Sequence, residues 1–326
     1  MDWNSIFSQT LTQAIGVSAV IYCLAAVGLN VHFGYTGLLN FGQAGFMAIG
    51  AYGYAISTLT FGFPVWGAVL VGIGASVVFA LILGVPTLRL RADYLSIVTI
   101  AAAEILRLTF TTNTFDWLTG SADGLSGYKG GFAALNPIPD GTYGWGPFEM
   151  NAYDWWIRIV AWIVVALACL LTWQLMRSPW GRVIKGIRED EDAVRALGKN
   201  VYFYKMQSLI LGGVFGTLAG MIFILPRAVV PSNYATTLTF FIYAILLLGG
   251  AATILGPVIG SIIFWVVLSA VSGLIARLVS EGYLPFMSSV QSGQLRFIIV
   301  GIVLMLLVIY RPQGIFGNKK ELAFVK

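Results

Sequence analysis

The 326-residue chain is predicted to be all-α: a polytopic transmembrane helical bundle of about nine spans (eight to ten), amino terminus outside and carboxyl terminus cytoplasmic. Three observations predict it. Only 10% of residues are charged, 19 basic and 14 acidic, while 58% are apolar; a soluble domain carries roughly 25% charge. The mean hydropathy of +0.84 cannot be covered by so little polar surface unless lipid replaces water around most of the molecule. Apolar runs long enough to span recur along the chain, and Lys and Arg gather between them. A soluble protein and a disordered one are both excluded. Nine spans of about 20 residues use about 180 positions, which leaves room for one modest loop on each side and none for a soluble catalytic domain.

The runs lie at about 12–30, 41–60, 64–84, 94–112, 155–176, 207–226, 237–254, 257–279 and 295–311. The first is expected to be a retained helix, because no basic residue precedes it and the first Lys or Arg is Arg89. Glycine is dense at 41–60 and 237–260, so each is expected to be either broken or re-entrant. Gly34 to Gly45 and Gly249 to Gly260 are expected to be the broken stretches, and both fall toward the inside, which leaves an inverted repeat unestablished. The third run carries Gly72, Ser76, Ala80 and Gly84, the sixth Gly212, Gly216 and Gly220, and the eighth Gly256 and Gly260. Small residues at every fourth position let spanning helices approach closely. The fourth run holds the only mid-span ions, Glu104 and Arg107, three apart and so on one helix face. Cys23 and Cys169 sit inside apolar runs and read as packing residues. The single histidine, His32, excludes a multi-histidine metal site.

Orientation follows from the basic residues. Placing 85–93, 177–206 and 312–326 inside collects, with Arg311 at the boundary, 13 of the 19, among them Arg89, Arg91, Arg177, Arg182, Lys185, Lys319, Lys320 and Lys326. The stretch 113–154 is then an external loop, with Asp116, Asp123, Asp140, Glu149 and Asp154 against Lys129. The net charge of +5 reflects these loops and does not imply nucleic-acid binding.

The cytoplasmic loop 177–206 is the most informative segment. Ser178-Pro179 stops the preceding helix, and Arg188 to Gly198 reads as a short helix. Glu189, Asp190, Glu191 and Asp192 fill its first turn, and Arg195 and Gly198 close it, as the macrodipole and C-cap preferences require. Val194 and Leu197, at i and i+3, are expected to share an exposed apolar face that docks a cytoplasmic partner. A solvated loop helix is the plainer alternative. No phosphate-binding loop exists: the only Gly-Lys pair, Gly198-Lys199, is followed by Asn200. No catalytic constellation, cofactor or metal site is expected.

Several motifs together carry a family resemblance. Ser178-Pro179-Trp180-Gly181-Arg182, Ile187-Arg188-Glu189-Asp190-Glu191 and Ala196-Leu197-Gly198 resemble the coupling loop of bacterial branched-chain amino acid ABC transporter permeases of the LivH/LivM type. The stretch Gly34 to Phe46 is similar to that family's second-helix signature. Leu88 to Thr99 with Glu104 and Arg107, then Leu118-Thr119-Gly120, resembles the LivM-like subunit. Gly256-Pro257-Val258-Ile259-Gly260 and Tyr310 to Gly317 agree, whereas Ala92 and Ala251-Ala252-Thr253 depart from the pattern. The resemblance implies a single permease domain over 1–326 in a bacterial inner membrane, with a second homologous permease, two cytoplasmic ATP-binding subunits and an extracytoplasmic substrate-binding protein as partners. Arg188 to Asp192, Val194, Leu197 and Gly198 would then couple to the ATPase.

Irregular backbone at membrane depth is tolerated beside a cavity or within protein. The broken stretch with Asn40, Phe41 and Gln43 is therefore the candidate lining of the substrate path; close helix packing by its glycines is the alternative. Glu104 and Arg107 either pair with each other or meet a zwitterionic substrate. A urea or short-amide permease is a competing cargo. A secondary transporter, channel or membrane enzyme is the competing class; no filter or convergent acid site is evident.

Overall fold

The structure, a computed structural model, describes residues 3–89, 92–281 and 283, scattered residues of 295–311, and 313–317. Of the predicted span at 295–311, the described residues are helical up to Tyr310, while 296–297, 300, 303–304 and 307–308 lie outside the described residues, as do Arg91, Lys319, Lys320 and Lys326. Helices dominate. α1 (Trp3–Ala14) and α2 (Val17–Leu29) are separated at Gly16, and α2 runs on into a π-turn, Asn30–Tyr35. The chain is then non-helical through 37–42 before α3 (Gln43–Leu59), α4 (Val65–Thr87) and α5 (Ala92–Thr111).

The 113–154 segment holds two one-turn helices, α6 (Asp116–Thr119) and α7 (Gly130–Ala133), and a small ribbon. In that ribbon β1 (Thr142–Tyr143) pairs antiparallel with β2 (Met150–Asn151). After it come α8 (Ala152–Arg177), α9 (Pro179–Glu189), α10 (Glu191–Ala196), α11 (Val201–Ile224), α12 (Thr236–Gly249) and α13 (Gly256–Ser280).

Six stretches among the described residues are long and apolar enough to cross a membrane: Trp3–Tyr35, Val65–Thr87, Tyr94–Thr111, Ala152–Arg177, Val201–Ile224 and Gly256–Ser280. The predicted runs at 41–60 and 237–254 are shorter helices of 17 and 14 residues. At 1.5 Å per residue they reach only about 25 and 21 Å, against a hydrocarbon core of about 30 Å. The chain is thus a multi-pass membrane protein with two reduced-length helices at its centre.

Their placement follows from the contacts. α2 and α11 run antiparallel, with Gly28 against Gly212 and Ser208 donating to Val31 O. Both are buried on nearly every side. Gln43, the first residue of α3, bonds to Ala25 and Gly212 at the middle of those two helices. The Ala44 N–H of α3 donates to Thr239 Oγ1 in the first turn of α12. The amino-terminal turns of α3 and α12 therefore meet at mid-depth. From there α3 advances beside α11, with Phe46 O accepting from Thr217, while α12 runs the other way to end at Gly249 beside the π-turn.

α4 returns along α11, with Gly72 by Met221 and Gly84 by Met206, as α13 returns along α2, where Ser261 donates to Ala19 O. Each half thus has a long buried helix, a stretch that interrupts the α-helices, a reduced helix and a long return helix, and one half is inverted with respect to the other. The break that matches 37–42 is at 225–235, before α12. The expected break at 249–260 is instead the tight hairpin between α12 and α13, and composition alone did not separate the two.

Small residues set the spacing. A Cβ added at Gly212 would lie 2.4 Å from Gly28 O and 2.3 Å from His32 Nε2; at Gly216, 2.6 Å from Gln43 Nε2; at Gly220, within bonding distance of Met47 O. α4, α5 and α8 sheath this centre and turn Leu70, Val78, Ile82, Ile97, Ile105, Leu108, Ile163 and Leu167 outward, where lipid takes the place of water.

Candidate functional site

Polar groups this deep must find partners inside the protein. Asn40 and Gln43 are fully buried and do so. Asn40 Oδ1 accepts from the Gly42 N–H at 2.8 Å, which fixes its other end as the donor. That Nδ2 donates to His32 Nδ1 at 3.0 Å and to Gln43 Oε1 at 3.4 Å. With Nδ1 accepting, the imidazole carries its proton on Nε2, which donates to Leu209 O at 3.1 Å. Gln43 Nε2 closes the chain by donating to Ala25 O and Gly212 O. One relay of side chains therefore ties α2, α3 and α11 around the 37–42 stretch.

Phe41 stands at the edge of this core, half-buried. Its N–H donates to Thr99 Oγ1 of α5, and its ring stacks on Tyr243 at 4.5 Å and leans on the exposed Phe240 at 5.8 Å. Tyr243 in turn donates to Asn40 O. Asn40, Phe41 and Gln43 are thus brought together. Glu104 and Arg107 stand apart on the half-exposed side of α5, paired with each other: Nε lies 3.1 Å from both carboxylate oxygens and Nη2 2.5 Å from Oε1.

At the end of the bundle where α12 finishes, the 177–206 segment forms two helices where one was expected. Pro179 occupies the first turn of α9, the position that tolerates a missing N–H. Arg188 and Glu189 belong to α9; Asp190 is the hinge and caps α10, its carboxylate accepting from the Ala193 N–H at 3.0 Å. Glu191 and Asp192 lead α10 and pair with Arg195 at 2.9 and 3.1 Å, Glu191 also meeting Lys205 of α11. Gly198, at φ +75°, follows as the left-handed stop.

The expected shared face is corrected here. Val194 is only 8% exposed, packed against Ile187 and Val201 because α10 folds back on α9 and α11, whereas Leu197 is 79% exposed. Of the two, Leu197 is the exposed one. Arg188 turns inward, its side chain 5% exposed, and Nη1 donates to Gly34 O at 2.5 Å while Nη2 meets Glu189.

Sequence reasoning passed over His32, Asn30, Thr239 and Tyr243 as members of this core. The signal present was an isolated polar residue in an apolar span, which is rare enough at that depth to mark a site.

The sequence from 11 to 309 matches the family of branched-chain amino acid transport system permease components. The high-affinity branched-chain amino acid transport permease LivM of Salmonella typhimurium is 31% identical over 314 residues, covering 92% of this chain and 69% of that one. A probable branched-chain amino acid transport permease LivM of Methanocaldococcus jannaschii is 26% identical over 92% of this chain and 91% of its own. The guanosine ABC transporter permease NupQ of Bacillus subtilis is 26% identical over 68% of this chain and 69% of its own. Near-full-length similarity on a helical membrane bundle makes the chain a LivM-like member of the branched-chain amino acid ABC transporter permease family.

Proposed function

We propose that the chain is one permease subunit of an ATP-binding cassette importer, carrying branched-chain or related apolar amino acids inward across a bacterial cytoplasmic membrane. The observation that carries the reading is similarity to LivM permeases along nearly the whole chain. In this reading 113–154 is the external loop that receives an extracytoplasmic binding protein, and 177–206 is the cytoplasmic coupling loop. Two separate ATP-binding subunits dock there, with exposed Leu197 as the apolar anchor and the Glu189–Asp192 acids setting register. A second, homologous permease completes the pathway.

The path runs along the face where α5 approaches α12. Phe41 and Phe240 present aromatic surface on it, and Asn40 and Gln43 hold the wall from behind, their amides committed to the protein. Such a lining offers no free charge: Glu104 and Arg107 satisfy each other. A buried ammonium and carboxylate need partners to offset desolvation, so the conduit binds cargo weakly and the binding protein selects it. The guanosine permease among the relatives favours one second reading, a nucleoside cargo through the same kind of conduit.

Uptake in cells expressing the whole transporter tests both. Labelled leucine or valine should enter in an ATP-dependent manner and be displaced by excess isoleucine. ATP-dependent guanosine uptake indifferent to leucine would replace the cargo and keep the importer; leucine uptake without any ATPase would remove the importer.

A further inference from the structure

Three segments distant in sequence meet beneath the bundle: the π-turn Asn30–Tyr35, the 250–253 turn and α9. The first two are locked to each other. Asn30 Nδ2 donates to Thr253 O at 2.7 Å, and its Oδ1 accepts from the Ala252 N–H at 2.8 Å. No slack remains at Gly34, where an added Cβ would lie 2.0 Å from Asn30 Oδ1 and 2.6 Å from Ala252 N. α9 then sits on both. Ile184 packs with Tyr35, Ala252 and Met176, and the Arg188 stem lies against Gly37 while its guanidinium holds Gly34 O. α10, by contrast, is held to α9 and α11 through Val194 and Glu191.

We propose that α9, with Arg188 as its positioning residue, transmits movement of the 177–206 segment to the π-turn and the 250–253 turn together, so that one guanidinium links the ATPase side to the broken core. The inference rests on the importer reading. A π-turn holds one residue more than an α-turn, and the two registers are the discrete states a switch needs. Displacing Gly34 O favours one register over the other, and the change runs directly into 37–42, where Asn40 and Gln43 are bonded. A guanidinium suits the task because its charge-assisted fork holds a carbonyl more firmly than a point donor does.

The test uses the complete transporter with its second permease, ATPases and binding protein in liposomes, carrying Arg188→Met or Arg188→Lys. Both variants should assemble and hydrolyse ATP at the basal rate. Substrate moved per ATP should fall about tenfold for Arg188→Met, the scale of one lost hydrogen bond to a charge, and less for Arg188→Lys. Spin labels on Lys199→Cys and Leu255→Cys, both exposed positions, should keep one separation through the ATP cycle with Arg188 present and show two without it. Unchanged transport per ATP, or identical distance distributions, would overturn the proposal. So would failure of both variants to assemble, since Arg188 would then serve the fold alone. Uptake that never depends on the ATPases would instead defeat the importer reading. If Leu197→Asp uncouples and Arg188→Met does not, only the role of Arg188 falls.

Discussion

Glu104 and Arg107 keep their charges at bilayer depth because each is the other's counter-ion, one helical turn apart and bidentate. Removing one partner leaves the other unpaired in hydrocarbon, a cost of roughly 2.5–3.5 kcal/mol on insertion scales. Glu104→Gln or Arg107→Gln alone should therefore lower the thermal stability of the purified permease, and the double change should restore most of the loss. A double variant as stable as the native chain but inactive in uptake would assign the pair to substrate. The amides Asn40 and Gln43 were legible in sequence, because two such side chains among glycines and aromatics are costly at that depth unless something binds them. Their partners were not. His32 and Gly212 come from elsewhere in the chain, and only the crossing of α2 over α11 brings them within 3.5 Å.

At the scale of elements, α10 separates two apolar residues that spacing alone had joined. Leu197→Asp changes an exposed position and should leave stability within about 0.5 kcal/mol of the native chain, while reducing copurification of the ATPases and ATP-driven uptake. Val194→Asp puts an unpaired carboxylate among Ile187 and Val201 and should cost about 3–5 kcal/mol. Thermal unfolding of the two variants distinguishes these outcomes. The long helices were legible because a run of apolar residues has no alternative in lipid. α9 was hidden by Ser178-Pro179, a pair that ends one helix and equally well begins the next. The mid-depth starts of α3 and α12 were also hidden, since hydropathy measures length and leaves depth open.

For the molecule as a whole, the proposed orientation puts the end where Arg and Lys cluster beside α9 inside. Cysteine introduced at Asn200 should react with an impermeant reagent only after the membrane is opened, and cysteine at Asp140 should react in intact cells. The reverse pattern would invert the assignment. The meeting of α3 and α12 head to head has a further consequence for how the chain is made. Segments of 17 and 14 residues are too short to be committed to the bilayer one at a time as they leave the ribosome. Each starts against surfaces supplied by α2 and α11, and α11, which opens at Val201, is synthesised long after α3 begins at Gln43. Biogenesis must therefore hold α3 in a provisional position, sheltered from lipid, until the second half of the chain arrives to complete its socket.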